Sequence, residues 1–413
     1  MKRYLHPTQI PRSKTFGAIE WQGERITCVN PLVRGDSFPW TWGVDGDLYT
    51  GAGDPLWCEI DGVTYNLGSE EFKPFEEEHF NKTFGLSFDK IEGEPTAFNV
   101  KRVNDMCGFI GSGGHGLKPS GVISVNGVLY YFVQNLLGWK PARYGTKSQH
   151  GSDATIIAST DFGKTWTPDL DSTLRTFYET HFIAKDDEWT NPDKAWDLSV
   201  EERSTAEGIV PMFPGNLFGG ASFVQFGKDN ATAVDDYVYA ISGDQWDNGS
   251  EIRLGRVKND KIMERESWEF AIPSDDGSVE WTASIYKSQP ILAVERHLSS
   301  PEMVYLPKTK KYILATWALH EDFSPKYGSE LTILEADNPW GPFSLVHYEW
   351  MWFLQEMSCY CPRIPLKWFD EDSMSGYILH SAAWEEPKSK KYYMPQLRKF
   401  NIIPAYIKEK EKE

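Results

Sequence analysis

The feature that most constrains this chain is an imperfect repeat. Five times, a small or proline-containing strand start leads into an apolar strand, a polar turn and a second strand rich in tyrosine and leucine. The first copy is FPWTWGVDGDLYTGAGD, ending at Asp54. The second is KPSGVISVNGVLYYFVQN, from Lys118 to Asn135, and the third is GGASFVQFGKDN with DDYVYAISGD, ending at Asp244. The fourth, SPEMVYLPKTKKYILATWALH, runs from Ser300 to His320, and the fifth, CPRIPLKWFDEDSMSGYILHSAAW, from Cys361 to Trp384. Period-2 alternation flanked by Asp45-Gly46 or Asn126-Gly127 is a hairpin signal, because such pairs accept the positive φ angles of a two-residue reversal.

Further strand-like segments follow the copies: GLSFDKIEG, ATIIAST, EIRLGRV, LTILEAD and YYMPQLRKF. Four strands per repeat, recurring every ~60–100 residues, predict an all-β, five-bladed β-propeller of four-stranded antiparallel blades. The expected organisation is one domain over residues 1–405, with an inserted loop at 179–208 and a charged tail at 406–413. Because the fifth copy runs out of chain, an N-terminal strand around AIEWQGERITCV is expected to close the ring by completing the last blade. The run Ser159-Thr-Asp161-Phe-Gly163-Lys-Thr165-Trp166 is a sialidase-type Asp-box, which predicts a tight turn between outer strands with the tryptophan packed between blades. Asp161 is read as structural.

A net charge of −18 argues against a phosphate-backbone partner, so no nucleic acid is expected. A neutral polysaccharide or oligosaccharide is compatible with it. The five cysteines are too few and too scattered for a disulfide scaffold, and no paired spacing suggests a metal; no cofactor is implied. No apolar run is long enough to span a membrane. The start, MKRYLHP, lacks the apolar stretch of a signal peptide, which leaves the location open: secreted if a leader has been removed, otherwise cytoplasmic. Nothing in the sequence speaks to oligomeric state. Aromatic residues, among them 17 Trp, serve either pleated packing or sugar stacking, with Trp40, Trp42, Trp139 and Trp384 as stacking candidates.

Propeller geometry would bring the strand starts and the second-strand ends of every repeat to one end of a central channel. Polar residues concentrate at those ends. The sharpest pair is Asp36 and Asp54, nine residues either side of Asp45, expected to lie roughly 5–8 Å apart across the ladder. Two carboxylates that close raise one pKa, and that group can act as an acid. A separation of about 5–5.5 Å suits retaining glycosidases and about 6.5–9.5 Å inverting ones, and the shorter value favours retention. The competing reading is that each Asp only caps backbone groups. Substrate-binding candidates are Lys118, which could instead steady a carboxylate, with Gln134, Asn135, Asp153, Asp244, Glu302, His320, Arg363 and Trp384; His150 joins Asp153 in one loop. Glu302 is also placed to pair with Arg363 or Arg296, and His297 reads as a satisfied loop histidine.

GDSFPWTWGVDGDLYTGAGD resembles the first-blade signature of the five-bladed propeller family that includes the bacterial endo-D-arabinanases, many members of which were long known only as a domain of unknown function. KPSGVISVNGVLYYFVQN, STDFGKTW and EADNPWGPFSLV resemble later blades, over about residues 30–400. The resemblance implies a glycoside hydrolase acting on furanose polymers, with the catalytic pair at Asp36 and Asp54. Three readings stay open from sequence: this hydrolase; a non-catalytic carbohydrate-binding or protein-interaction propeller; and an inverting glycosidase or lyase using carboxylates from several blades.

Overall fold

The structure is a computed structural model describing residues 6–60, 63–66, 86–105, 117–134, 151, 153–169, 211–320, 328–352, 358–382 and 392–405. Both the insertion expected at 179–208 and the tail at 406–413 lie outside the described residues. Every ladder between named strands is antiparallel, as expected for an all-β chain.

Strand β1 (Phe16–Thr27) is the first among the described residues. The first repeat then forms β2 (Trp40–Trp42) and β3 (Leu48–Gly53). Their reversal uses the anticipated chemistry: the Asp45 carboxyl accepts the Asp47 N–H (3.1 Å) and the Tyr49 hydroxyl (2.7 Å), and Gly46 sits at φ +93°. A small hairpin of β4 (Trp57–Ile60) and β5 (Val63–Asn66) follows. Strands β6 (Leu86–Glu92) and β7 (Asn99–Asn104) complete a sheet of order β2-β3-β6-β7. The second repeat gives β8 (Lys118–Val125) and β9 (Val128–Gln134), turned by Asn126 and Gly127 at φ +52° and +78°, with β10 (Thr155–Ser159) outside them.

The third and fourth repeats depart from separate four-stranded units. Strands β11 (Gly220–Phe223), β12 (Tyr237–Gly243) and β13 (Gly249–Lys258) form the third, and β14 (Glu269–Pro273) with β15 (Val279–Thr282) pairs one end of β13. The other end of β13 pairs the beginning of β16 (Leu292–Leu306). The rest of β16 leads the fourth repeat, β17 (Lys311–Leu319), β18 (Ser329–Ala336) and β19 (Ser344–Glu349). One long strand thus stitches two repeats into a nine-stranded sheet. It does so by bending: the register slips between Ser299 and Glu302, Ser300 has φ +27°, and Pro301 supplies no ladder N–H.

The fifth repeat, β20 (Cys359–Arg363), β21 (Ser375–Ala382) and β22 (Gln396–Pro404), takes β1 as its outer strand, in the order β1-β22-β21-β20. The leading strands of the repeats pack in succession: β2 beside β8, β8 beside β11, β11 beside β16 and β16 beside β20. From β20, the Arg363 guanidinium reaches back to the Ser37 carbonyl, just ahead of β2 (3.1 Å).

Between these strands the aromatic residues settle their own assignment. Trp40, Trp57, Trp268, Trp317 and Trp352 are fully buried, and each contributes roughly 4–6 kcal/mol of apolar burial. Trp40, at 1% exposure, therefore belongs to the core and presents no face to a sugar. Trp42 is half-buried and donates to the Gly46 carbonyl (3.2 Å), at the turn end of the hairpin and away from Asp36.

Turn residues 159–166 use the spacing read from sequence. The Asp161 carboxylate accepts the Thr165 N–H (2.9 Å), the Thr165 hydroxyl (2.7 Å) and the Ser159 hydroxyl (2.8 Å). Trp166 then packs edge-on to Phe88 of β6 and against Tyr131 of β9, spanning two sheets.

Candidate active site

Asp36 precedes β2 and pairs with Gly53 at the end of β3, each donating its N–H to the other's carbonyl (3.0 and 2.9 Å). Equal counting from Asp45 would pair Asp36 with Asp54. The register instead moves by one residue, because Ser37 and Phe38 adopt φ +68° and +36° and form a bulge. Asp54, at φ +41°, follows immediately. Two successive non-glycine residues in the left-handed region are strained backbone of the kind found at working sites.

The Asp36 carboxylate is held at both oxygens. Oδ1 accepts the Ser37 hydroxyl (3.0 Å), and Oδ2 accepts the hydroxyls of Tyr360 (3.1 Å) and Tyr393 (3.2 Å). Lys118, at the start of β8, makes an ion pair with Asp54 Oδ1, with the lysine side chain 7% and the aspartate 18% exposed. Burial first, and the Asp54 charge second, push the Asp36 carboxyl from 3.8 up to about 6; the Lys118 cation and the hydroxyl donors oppose that rise. Tyr360 and Tyr393 are raised well above 10 by burial and by the same carboxylates, so both remain donors.

Beneath this pair lies a closed polar layer. Burial pushes Glu302 from 4.5 up to about 7 despite the nearby Arg363 cation, and its Oε2 accepts the Ile364 N–H (2.5 Å). Arg363, 1% exposed, donates to the carbonyls of Ser37 (3.1 Å) and Ser300 (3.4 Å). A cavity of about 10 Å³, room for one water, is lined by Ser37, Gln134, Gln245, Trp246, Ser300 and Arg363. Gln134 is buried there and donates to the Pro119 carbonyl (3.4 Å).

The sequence candidates therefore separate. Asp36, Asp54 and Lys118 converge. Gln134 at the end of β9, Glu302 within β16 and Arg363 at the end of β20 are enclosed, and Arg363 reaches the pair's hairpin through the Ser37 carbonyl. Asp153 is buried at φ +51° and accepts the Gly215 N–H (2.8 Å). Asp244 accepts the N–H groups of Ser250 (2.8 Å) and Glu251 (3.2 Å), capping the β12–β13 turn. His320 lies apart, stacked on Trp350. Asn135, Trp384, His150 and Trp139 lie outside the described residues. His297 is not a plain loop histidine: its Nδ1 contacts the buried Glu330 carboxylate. Among the described residues, no three His, Cys, Asp or Glu side chains converge as metal ligands.

Sequence reading missed Ser37, Tyr360 and Tyr393. Tyr360 stands one position before the fifth repeat as delimited from sequence, so a wider window on that strand start would have included it. Tyr393 had no comparable signal.

No protein-family model and no curated protein matches this chain. Among solved structures, it is similar to the α-L-arabinofuranosidase PaAbf62A of Podospora anserina in complex with cellotriose, at 11% identity over 96% of this chain and 99% of that one, with a TM-score of 0.43. It is also similar to the GH43_1 enzyme of Xanthomonas citri, at 10% identity over 92% and 89% with a TM-score of 0.43. A third is Zg3597, a family 117 glycoside hydrolase of the marine bacterium Zobellia galactanivorans, at 10% identity over 94% and 91% with a TM-score of 0.43. The chemistry of this chain has to be read from its own residues.

Proposed function

We propose that this chain is a glycoside hydrolase on a five-bladed β-propeller, with Asp36 and Asp54 as its working carboxylates and a neutral, furanose-containing polysaccharide as substrate. The observation that carries the reading is the electrostatic asymmetry of the pair. Asp36 is pushed to about 6 beside Asp54, while Asp54 is tied to Lys118. Asp36 ahead of β2 and Asp54 after β3 both remain partly accessible. The five leading strands packed in succession support the propeller. The first-hairpin resemblance and the chain's net charge of −18 favour a neutral arabinan-like polymer.

In the retaining form, Asp36 gives its proton to the glycosidic oxygen as the bond to the anomeric carbon breaks. The Asp54 carboxylate attacks that carbon from the opposite face and forms a glycosyl ester. Asp36, now ionised, takes a proton from water as the water's oxygen displaces Asp54. Lys118 orients the nucleophile through one oxygen, and Tyr360 and Tyr393 keep Asp36 aimed. The negative charge beside the anomeric centre stabilises the oxocarbenium character of the transition state.

The test is a screen of arabinan, arabinogalactan and other wall glycans with the parent chain, Asp36→Asn and Asp54→Asn. Released oligosaccharides are separated by chromatography, and the product anomer is read by NMR. The reading expects turnover by the parent, loss in both variants and retained anomeric configuration. Undiminished turnover in both variants would remove the pair from the chemistry, glycan binding without release would favour a lectin, and inversion would make one carboxylate the base for water.

A further inference from the structure

We propose that the groove around Trp350 and His320 is a second sugar-binding position, which receives a distal residue of the same glycan chain. The inference rests on the glycoside hydrolase reading and gives it a substrate length.

The groove encloses about 270 Å³ and is walled by Glu295, Arg296 and His297 from β16, His320 beyond β17, Glu330 of β18 and Trp350 beyond β19. That volume is near the lower end of the roughly 300–1,000 Å³ typical of ligand pockets, a size suited to a sugar ring. Trp350 is 55% exposed, and it is the only exposed tryptophan among the described residues. Its indole is stacked on the His320 imidazole, with centroids 3.7 Å apart and planes 20° from parallel. The ring is thus braced on one side while much of it stays open to solvent, as an aromatic platform for the apolar face of a sugar requires.

The polar wall is built as firmly. Glu330 is buried and accepts the Tyr348 hydroxyl (2.7 Å) while contacting His297 Nδ1. The His6 ring packs edge-on to His297, 4.6 Å between centroids. Arg296 is held at φ +62° with its N–H on the Ser250 hydroxyl (3.0 Å), a strained non-glycine conformation at the groove's edge. The Asn248 side chain clamps Leu319 by accepting its N–H (2.8 Å) and donating to its carbonyl (3.0 Å), which fixes the strand end that carries His320. Sites fixed in advance in this way lose little ordering entropy on binding. Carboxylate, guanidinium and imidazole together can serve a sugar's hydroxyls as donors and acceptors, and the mixed signs favour a neutral ring over a polyanion.

Aromatic side chains connect the groove to the candidate active site. Trp317, two residues before Leu319, packs against Trp246 (5.5 Å between centroids), Trp246 packs against Tyr360 (5.9 Å), and the Tyr360 hydroxyl donates to Asp36 (3.1 Å). These three rings are buried, so they tie the two places together through the core, while His320 just past β17 and Asp54 just past β3 stand at corresponding ends of their hairpins.

The experiment uses the full chain as Asp54→Asn, titrated calorimetrically with linear arabino-oligosaccharides from disaccharide to octasaccharide, alone and combined with Trp350→Ala or Glu295→Gln. Both additional substitutions are at exposed positions, and thermal melts check that folding is kept. The expected result is an affinity that steps up about tenfold once the oligomer is long enough, with Trp350→Ala removing the step and leaving short-oligomer affinity in place. Long oligomers bound equally well with and without Trp350 and Glu295 would overturn the second position while leaving the active-site reading intact. If no oligomer of any length binds, the furanose-glycan reading itself fails, and this inference with it.

Discussion

The carboxylate of Asp36 occupies the space that a side chain on Gly53 would need: a Cβ built at Gly53 collides with Asp36 Oδ1. The two residues also exchange both backbone hydrogen bonds. Here glycine serves close approach, since it lets an acid stand over its own ladder partner and beside the next residue, Asp54.

Gly53→Ala should displace the Asp36 carboxylate from Tyr360 and Tyr393 and lower kcat about a hundredfold, because small misplacements at a reacting centre carry that penalty. The fold should lose about 1–3 kcal/mol. Steady-state kinetics with a urea titration check both, and unchanged kcat would mean the position of Asp36 does not matter.

Charge neighbours of Asp36 predict opposite displacements of its titration. Asp54 raises it and Lys118 lowers it, so Asp54→Asn should move it below about 6 and Lys118→Met above. Carboxyl NMR titration reads this directly, whether or not the variants turn over. In the active parent, kcat/KM should fall as pH rises through about 6, where the acid loses its proton.

Stability carries the same signature. Asp36 and Glu302 titrate in the fold at about 6 and about 7, above their ordinary 3.8 and 4.5. The folded chain then binds more protons than the unfolded chain, so this contribution is complete below about pH 4 and is lost as pH rises through 6 to 7. Asp36→Asn lacks the Asp36 share of that loss and keeps the Glu302 share. It should match the parent near pH 4 and exceed it by on the order of 3 kcal/mol near pH 8. Urea midpoints across pH test the difference, and a gap that does not widen with pH would contradict it.

Arg363→Met strips Glu302 of its buried cation and Ser37 of a carbonyl partner, and should destabilise by about 3–5 kcal/mol. Adding Glu302→Met removes the stranded acid and should recover much of that loss. Denaturant titration of the single and double variants decides, and equal stabilities for the two would show that no such pairing exists.

Gly163 has φ +88°, and a Cβ there would strike the Phe88 ring. Gly163→Ala should lower Tm while kinetic constants stay put, since the turn lies outside the Asp36–Asp54 cluster. A change in kcat without a change in Tm would assign that turn another role.

Hairpins were legible in the sequence because alternation and the Asp45-Gly46 and Asn126-Gly127 turns are local signals. The joined third and fourth repeats were not: whether the early part of β16 pairs β13 depends on a bend at Ser300-Pro301 that no periodicity announces. At the site, the closeness of Asp36 and Asp54 could be read from hairpin symmetry. The one-residue slip onto Gly53 could not, since it follows from positive φ at Ser37 and Phe38, residues with no turn preference strong enough to flag. The hydroxyls of Tyr360 and Tyr393 arrive from 324 and 357 residues away, and single-chain patterning carries no information about partners at that range. Exposure decided the aromatic residues: Trp40 and Trp350 are alike in sequence, and only packing separates core from platform.

The pairing of β1 with β22 has a consequence for synthesis. Strand β1 cannot find its ladder partner until more than 350 further residues have followed it from the ribosome. In that interval its twelve residues present unsatisfied amides to whatever is nearby, which makes this segment a place where a chaperone, or a second nascent copy, would engage the chain.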